Sequence, residues 1–563
     1  MVDVATAIAG LNSGKKWTST TITYTNSSAF YTGSTTVQNN IGSEISTPVS
    51  DADLGLVEDA LDAWKAVAPF TFNPIAPSPA TGADIGIVTV ASVADAIDPD
   101  TGNPVIANGV AKGSFVPGFS IFLWQGIYLE PNVSIGTYIH EIGHALGLNH
   151  PGGAVFGYNS DYSKDTTIMS YNYGVSSGGY TSSSRPAITP MLYDIAAIQS
   201  IYGVNSSYKG ESNTSHNDFD GSKNEARTIW DGGGTGDVFD ASSQTSTVTL
   251  DLRAGFKANG DQYASIVGNQ VTFVAYHADI ENAKGGSGAD KIYGNDATDA
   301  DELYAAFDGK NKLEGGAGDD EIYGNGGDDI LIGGADEDLL DGGSGTDTAS
   351  YADSAVAINY NVNAKTVTQN GDVDTLTSIE KVIGSTSTED VIDLSGLNLP
   401  RSAFLFLNST DSNGKHFTDL KLKSTGQSVL SFADFEDMRF TGDVIQTVTY
   451  TPVSATFTVN EIHMGGGNDV FSMSGIDPYL EIYLEGGDDI LKQAPRGSIV
   501  YGGDGEDTFE LSKDVLFADA DSSDKFTFYG KYISGGVAWK GQESPWAKGL
   551  MGLRYGGNSM GNW

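Results

Sequence analysis

Residues 315–350 read GGAGDDEIY GNGGDDILI GGADEDLLD GGSGTDTAS, four consecutive nine-residue units that begin at Gly315, Gly324, Gly333 and Gly342. Every unit carries an aspartate in its sixth place (Asp320, Asp329, Asp338, Asp347), and three carry a large apolar residue in the eighth. Glycine lets the first half of each unit turn tightly, while the last three residues form a short strand with one side chain inward. Such turns face outward with aspartate oxygens and with the carbonyls of Gly315, Gly318, Gly324, Gly327, Gly333 and Gly342. Calcium takes about six to eight hard oxygen ligands, which stacked turns supply. Two units make one coil, so ligands recur every 18 residues, Asp320 with Asp338 and Asp329 with Asp347. The stretch predicts an all-β, parallel β-roll that binds several calcium ions. A Gly/Asp-rich tract of this composition is otherwise disordered and solvated, and the unbroken nine-residue register argues against that.

The same pattern recurs on both sides. An earlier unit, GGSGADKIY, begins at Gly285 and contributes Asp290, and a degenerate one, AFDGKNKLE, fills residues 306–314. Near the C-terminus MGGGNDVFS, LEGGDDILK and GGDGEDTFE place Asp469, Asp489 and Asp507 in the sixth position, three further calcium ligands. Between the last two lies QAPRGSIVY, residues 493–501, with Ser498 where an aspartate belongs, so the opposite edge there is expected to be metal-free. Residues 351–451 lack the motif, and runs such as AINYNV, FLFLN and DLKLK suggest an antiparallel, β-rich extension.

The first 200 residues have another character. They hold 16 acids and 6 bases, whereas the remaining 363 hold 57 and 24, a net of −33. Residues 54–67 put Leu54, Val57, Leu61 and Trp64 at helical spacing, residues 85–90 and 121–124 read as buried strands, and residues 191–201 form another helix pattern. In residues 140–151, HEIGHALGLNHP, His140 and His144 stand four apart and so share one face of a helix. Ser134 is the expected N-cap of that helix and Gly147 its stop, a left-handed turn that swings His150 back toward the pair. Three imidazoles with a fourth position open are the donor set of a catalytic zinc, which activates water and polarises a carbonyl. Glu141, next to His140, is placed to act as general base without ligating. Three of the seven histidines falling within eleven residues argues against a helix that merely exposes its histidines.

HExxHxxGxxH followed directly by proline resembles the serralysin branch of the metzincin zinc endopeptidases. Ile168-Met169-Ser170-Tyr171 is similar to that family's Met-turn. The resemblance extends over roughly residues 54–347, including residues 190–205 and 228–242, and the pairing with an RTX calcium-binding roll. It implies that Met169 forms an apolar floor beneath the metal. It also implies that Tyr171 is a fifth zinc ligand or swings away to hydrogen-bond the transition-state oxyanion. The long segment after residue 350 departs from the family pattern, and the ending GGNSMGNW lacks the acidic-then-apolar tail common there.

Composition narrows the classes. The 563 residues carry 30 Lys+Arg against 73 Asp+Glu, a net of −43, and no cysteine. Absent cysteine excludes disulfides, thiolate zinc sites, iron–sulfur clusters and a cysteine nucleophile. The charge disfavours nucleic acid and anionic membranes as partners and favours cations. No apolar run reaches the roughly 18 residues of a membrane span, and the first fifteen residues do not read as a secretory signal. The expectation is thus multidomain: an N-terminal extension or short prosegment over 1–20, an α+β metzincin-like catalytic domain over 21–204 and a linker over 205–225. An RTX β-roll over 226–350, a β-rich extension over 351–451 and a second, degenerate roll over 452–563 with a C-terminal export region complete it. The expected function is a secreted, calcium-stabilised zinc endopeptidase acting on protein or peptide substrates, which pair along residues 121–124. Export without an N-terminal signal, through a bacterial type I system, goes with it. The rival is a calcium-dependent, adhesin-like surface protein with only self-processing activity; turnover of an unrelated protein separates the two.

Overall fold

The computed structural model describes residues 4–528, apart chiefly from 26–50, 76–82, 90–95, 98–103, 116–121, 152–165, 171–184, 256–262, 296–308, 395–403, 440–446, 451–460, 474–480 and 518–524, with shorter omissions elsewhere. The chain forms two compact units, Met1–Gly309 and Lys310–Trp563.

The first unit opens with helix α1 (Val4–Leu11), strand β1 (Thr21–Thr25), helix α2 (Asp51–Val67), and strands β2 (Thr71–Pro74), β3 (Ile85–Thr89), β4 (Gly109–Phe115) and β5 (Phe122–Leu129). Helices α3 (Ile135–Leu146) and α4 (Leu192–Tyr202) follow. The five strands form one sheet in the order β2-β1-β3-β5-β4, all parallel except the β4–β5 pair. Of the residues whose spacing predicts this helix, Val57, Leu61 and Trp64 are buried and Leu54 is half-buried. Helix α3 packs on α2 and against β4 and β5. The expected pairing strand at residues 121–124 is corrected here: Phe122–Trp124 belong to β5, which lies between β3 and β4, and the antiparallel edge is β4. An apolar run marks a strand but cannot say whether that strand ends the sheet.

Farther along this unit the strands shorten. Ser215–His216, Val238–Asp240 and Asn282–Lys284 pair in parallel, as do Val248–Asp251 and Lys291–Tyr293. Ser215–His216 falls within the segment read as linker.

The second unit is built of two such ladders. One begins Lys312–Ala317, Ile330–Ala335, Thr348–Ser350, Lys381–Ile383; the other Glu321–Tyr323, Leu339–Asp341, Asp372–Thr377. Leu313, Leu331, Ala349 and Val382 fill the interior from one side, and Ile322, Leu340 and Leu376 from the other, all at most 3 % exposed. Residues 351–451 differ from the separate antiparallel extension their composition suggests. Each ladder takes in antiparallel neighbours, Ile358–Asn361 with Thr366–Gln369 in one and Phe404–Thr410 with His416–Leu422 in the other. Parallel rungs then resume at Val391–Asp393 and Asp437–Arg439. What persists is the three-residue strand with a buried centre, as in Lys381–Ile383; only the Gly/Asp half of the motif is lost.

Candidate metal centres

Helix α3 carries the histidine motif on its buried side. Ser134 is extended at its N-cap, and Gly147 ends it in the left-handed region at φ 112°. The Leu148 N–H donates to Gly143 O at 2.9 Å, which turns the chain so that His150 comes back over the helix. The return is held from α1: Asn149 N–H donates to Leu11 O at 2.7 Å, and Ser13 N–H to Gly147 O at 3.0 Å. Three aromatic donors brace the helix carbonyls. Trp64 Nε1–H donates to Ile139 O and Trp17 Nε1–H to Ala145 O, both at 3.0 Å, and the Tyr202 hydroxyl donates to Leu146 O at 2.8 Å.

His140, His144 and His150 converge, with their ligand atoms within 4.8 Å of one another. His144 Nε2 is 3.1 Å from His150 Nε2, which is 3.3 Å from His140 Nε2. His140 Nδ1 lies 2.8 Å from Ile168 O, and His144 Nδ1 lies 2.8 Å from Leu148 O. A carbonyl only accepts, so each Nδ1 bears the proton and each Nε2 presents a lone pair. Burial lowers the His144 pKa to about 4, keeping that ring neutral. Lone pairs gathered at this spacing repel unless a cation sits among them. Zn–N bonds of about 2.0–2.1 Å in a tetrahedron put nitrogens about 3.3 Å apart, so the donor set fits zinc. Glu141 is adjacent and 3 % exposed. Met169 is fully buried, and its Sδ and Trp64 pack so closely on Gly143 that a β-carbon there would lie 2.9 Å from the sulfur. Tyr171 lies outside the described residues.

Asp194 escaped the sequence reading. Wholly buried in α4, it accepts the Ile168 N–H at 2.6 Å, the Met191 N–H at 2.8 Å and the Thr167 hydroxyl at 2.5 Å. It thereby holds the backbone of Ile168, the residue whose carbonyl orients His140. Its signal was present: it is the sole charged residue of the apolar run 191–201.

In the roll, Asp320 N–H donates to Asp338 Oδ1 and Asp329 N–H to Asp347 Oδ1, each at 2.9 Å across 18 residues. The pairing is the one the repeat predicts. Asp338 and Asp347 each keep Oδ2 buried without a hydrogen-bond partner. Burial, then neighbouring acids, pushes Asp338 up to about 8 and Asp347 to about 6. A Cβ on Gly315 would strike Asp320 Oδ2 and come within 2.6 Å of Gly333 O, so only glycine leaves this cradle open. Orphaned carboxylate oxygens beside backbone carbonyls fit a hard cation such as calcium. Asp290 differs: its two oxygens accept Val248 N–H at 2.7 Å and Gly286 N–H at 2.6 Å. Asp469 and Asp489 repeat the ladder bond at 2.6 Å, Asp489 and Asp507 at 2.9 Å. Ser498, across from them, is buried.

A family model described as RTX calcium-binding nonapeptide repeat (4 copies) matches residues 278–300, 306–340 and 314–349. The chain is 32 % identical to a serralysin of Proteus mirabilis over 267 residues, 42 % of this chain and 53 % of that protein. A metallopeptidase AprA of Pseudomonas marginalis is 32 % identical over 269 residues, with the same coverages. Serralysin C of Dickeya chrysanthemi reaches 38 % over 173 residues, 27 % of this chain and 35 % of that protein. The chain spans about half the length of the curated relatives it matches first. Its resemblance is to serralysin-type proteases carrying RTX calcium-binding repeats.

Proposed function

We propose that this chain, similar to serralysins in its first part and RTX-repeated in its second, is a calcium-stabilised zinc endopeptidase that hydrolyses peptide bonds in proteins. The observation that carries the reading is the convergence of three histidine nitrogens, with the tautomers of His140 and His144 set by Ile168 O and Leu148 O. Zinc bound by His140, His144 and His150 supplies a Lewis acid that polarises a carbonyl and acidifies water. The chain's own groups do the rest. Glu141 takes the proton of the attacking water and passes it to the leaving amine. The outer edge of β4, the end strand among the described residues, pairs with an extended substrate backbone and lays it across the helix. Tyr171, by resemblance, donates its hydroxyl to the developing oxyanion. The roll's aspartates hold calcium and rigidify a chain whose acids otherwise repel. Secretion through a C-terminal address is inferred with the family resemblance.

Glu141→Ala is the direct test. The variant is expected to keep its zinc, since three ligands remain, and to lose hydrolysis by about 10²–10⁴ or more. Metal analysis beside a casein assay reads both, and activity within about threefold of wild type removes Glu141 from this role. A wild-type chain that cleaves only itself, never casein, favours the adhesin-like alternative instead.

A further inference from the structure

Each ladder aspartate of the roll uses its carboxylate in two ways. One oxygen accepts the N–H of the acid one coil earlier, and the other, in Asp338 and Asp347, is buried without a donor. The ladder does not stop at Asp347. Asp338 N–H donates to Asp374 Oδ1 at 3.0 Å, so Asp374 occupies the next place although 36 residues on. Its other oxygen accepts the Tyr351 hydroxyl at 2.8 Å. Asp390 likewise accepts Ile358 N–H at 2.8 Å, and Ser385 serves both of its oxygens, through N–H at 2.5 Å and Oγ at 2.8 Å. Asp374, Asp390 and Tyr351 are all at most 5 % exposed.

Farther along, the open pattern returns. Asp489 accepts from Asp469 and donates to Asp507, with its own Oδ2 buried and without a donor. The backbone also repeats: Gly487 and Gly505 stand at φ 127° and 144°, against 127° and 148° for Gly327 and Gly345. A hydroxyl or amide donor and a divalent cation compete for a carboxylate's lone pairs, so an acid whose two oxygens both accept protein donors is a poorer calcium ligand than one with a buried oxygen left open.

We propose that the roll binds calcium in two separate arrays, one around Asp338 and Asp347 and one around Asp489. Between them, among the described residues, Asp374 and Asp390 are closed to cations because Tyr351 and Ser385 donate where calcium binds elsewhere. The proposal rests on the calcium reading of the roll. Its consequence is that the C-terminal array, which lies beyond the matched repeats, loads independently of the first.

Equilibrium dialysis of the full chain against radiolabelled calcium tests it. Asp338→Asn and Asp489→Asn are expected each to lower the bound count by at least one ion, whereas Asp374→Asn and Asp390→Asn retain the wild-type count. Loss of calcium in Asp374→Asn or Asp390→Asn matching that in Asp338→Asn overturns that closure, and an unchanged count in Asp489→Asn overturns the second array. Tyr351→Phe, checked for folding by circular dichroism, is the complementary probe. It frees Asp374 Oδ2 and is expected to add one ion; a folded variant with no added ion removes Tyr351 from this role. A wild-type chain that binds no calcium at all is a different failure, that of the calcium reading itself.

Discussion

Asp194 shows how far a single buried carboxylate reaches. It touches no histidine in this arrangement, yet the Ile168 backbone it pins orients His140. Burial raises its pKa from 3.8 to about 6, against the opposing pull of the Thr167, Ile168 and Met191 donors. A raised carboxyl means that the fold holds a proton which the unfolded chain releases. Its contribution is therefore complete below about pH 4 and is lost as pH rises through about 6. Asp194→Asn abolishes that titration, so the stability difference between wild type and variant is expected to shrink by about 1–2 kcal/mol from pH 5 to pH 8. Denaturant unfolding of both proteins at the two pH values measures it, and a difference that grows with pH contradicts the assignment. The variant also has only one acceptor oxygen for three donors, so weaker zinc retention is expected at every pH.

On the scale of elements, α3 is squeezed where the histidines sit. Gly143 faces Met169 Sδ and Trp64, and a methyl group there would lie 2.9 Å and 3.0 Å from them. Helix propensity alone predicts that Gly143→Ala stabilises by about 1 kcal/mol. Overpacking predicts a loss of about 1–3 kcal/mol, because neither a buried sulfur nor an indole held by its Ile139 hydrogen bond has room to retreat. The packing term is expected to win, with a lower melting temperature and reduced zinc affinity. A variant more stable than wild type would show that Met169 yields freely. The roll shows the opposite tolerance: each ladder takes in an antiparallel hairpin and continues, because each strand asks only for one inward apolar residue.

For the whole molecule, charge and cations decide. A net of −43 opposes compaction wherever acids crowd. Chelation of calcium is expected to unfold the second unit, seen as lost β-sheet signal by circular dichroism; an unchanged spectrum in chelator rejects calcium as its organiser. Asp290 sharpens the test. Its repeat position predicts a calcium ligand, but its two oxygens accept N–H groups from Val248 and Gly286. Asp290→Asn is expected to lower the melting temperature yet leave the calcium count unchanged, whereas Asp329→Ala lowers the count. Calcium titrations of the two variants distinguish them.

Much of this was legible beforehand. The eleven-residue span from His140 to His150 determines its own geometry, since a helix fixes the i,i+4 pair and Gly147 alone permits the turn that returns the third ligand. The nine-residue repeat determines the 18-residue ladder for the same reason: both are local periodicities, and in the histidine span distant partners such as Leu11 and Ile168 then hold the geometry in place. Tertiary structure decided the rest. Only sheet order makes β4 the edge and places β5 inside. Only the fold brings Asp194 to Thr167 and Ile168, 27 and 26 residues away. Whether a buried aspartate of the roll is left open, as Asp338 is, or closed, as Asp374 is by Tyr351 and Asp290 by Val248 and Gly286, depends on the donors that packing brings to it. Periodicity places a carboxylate, but the neighbours that satisfy its lone pairs are set by packing.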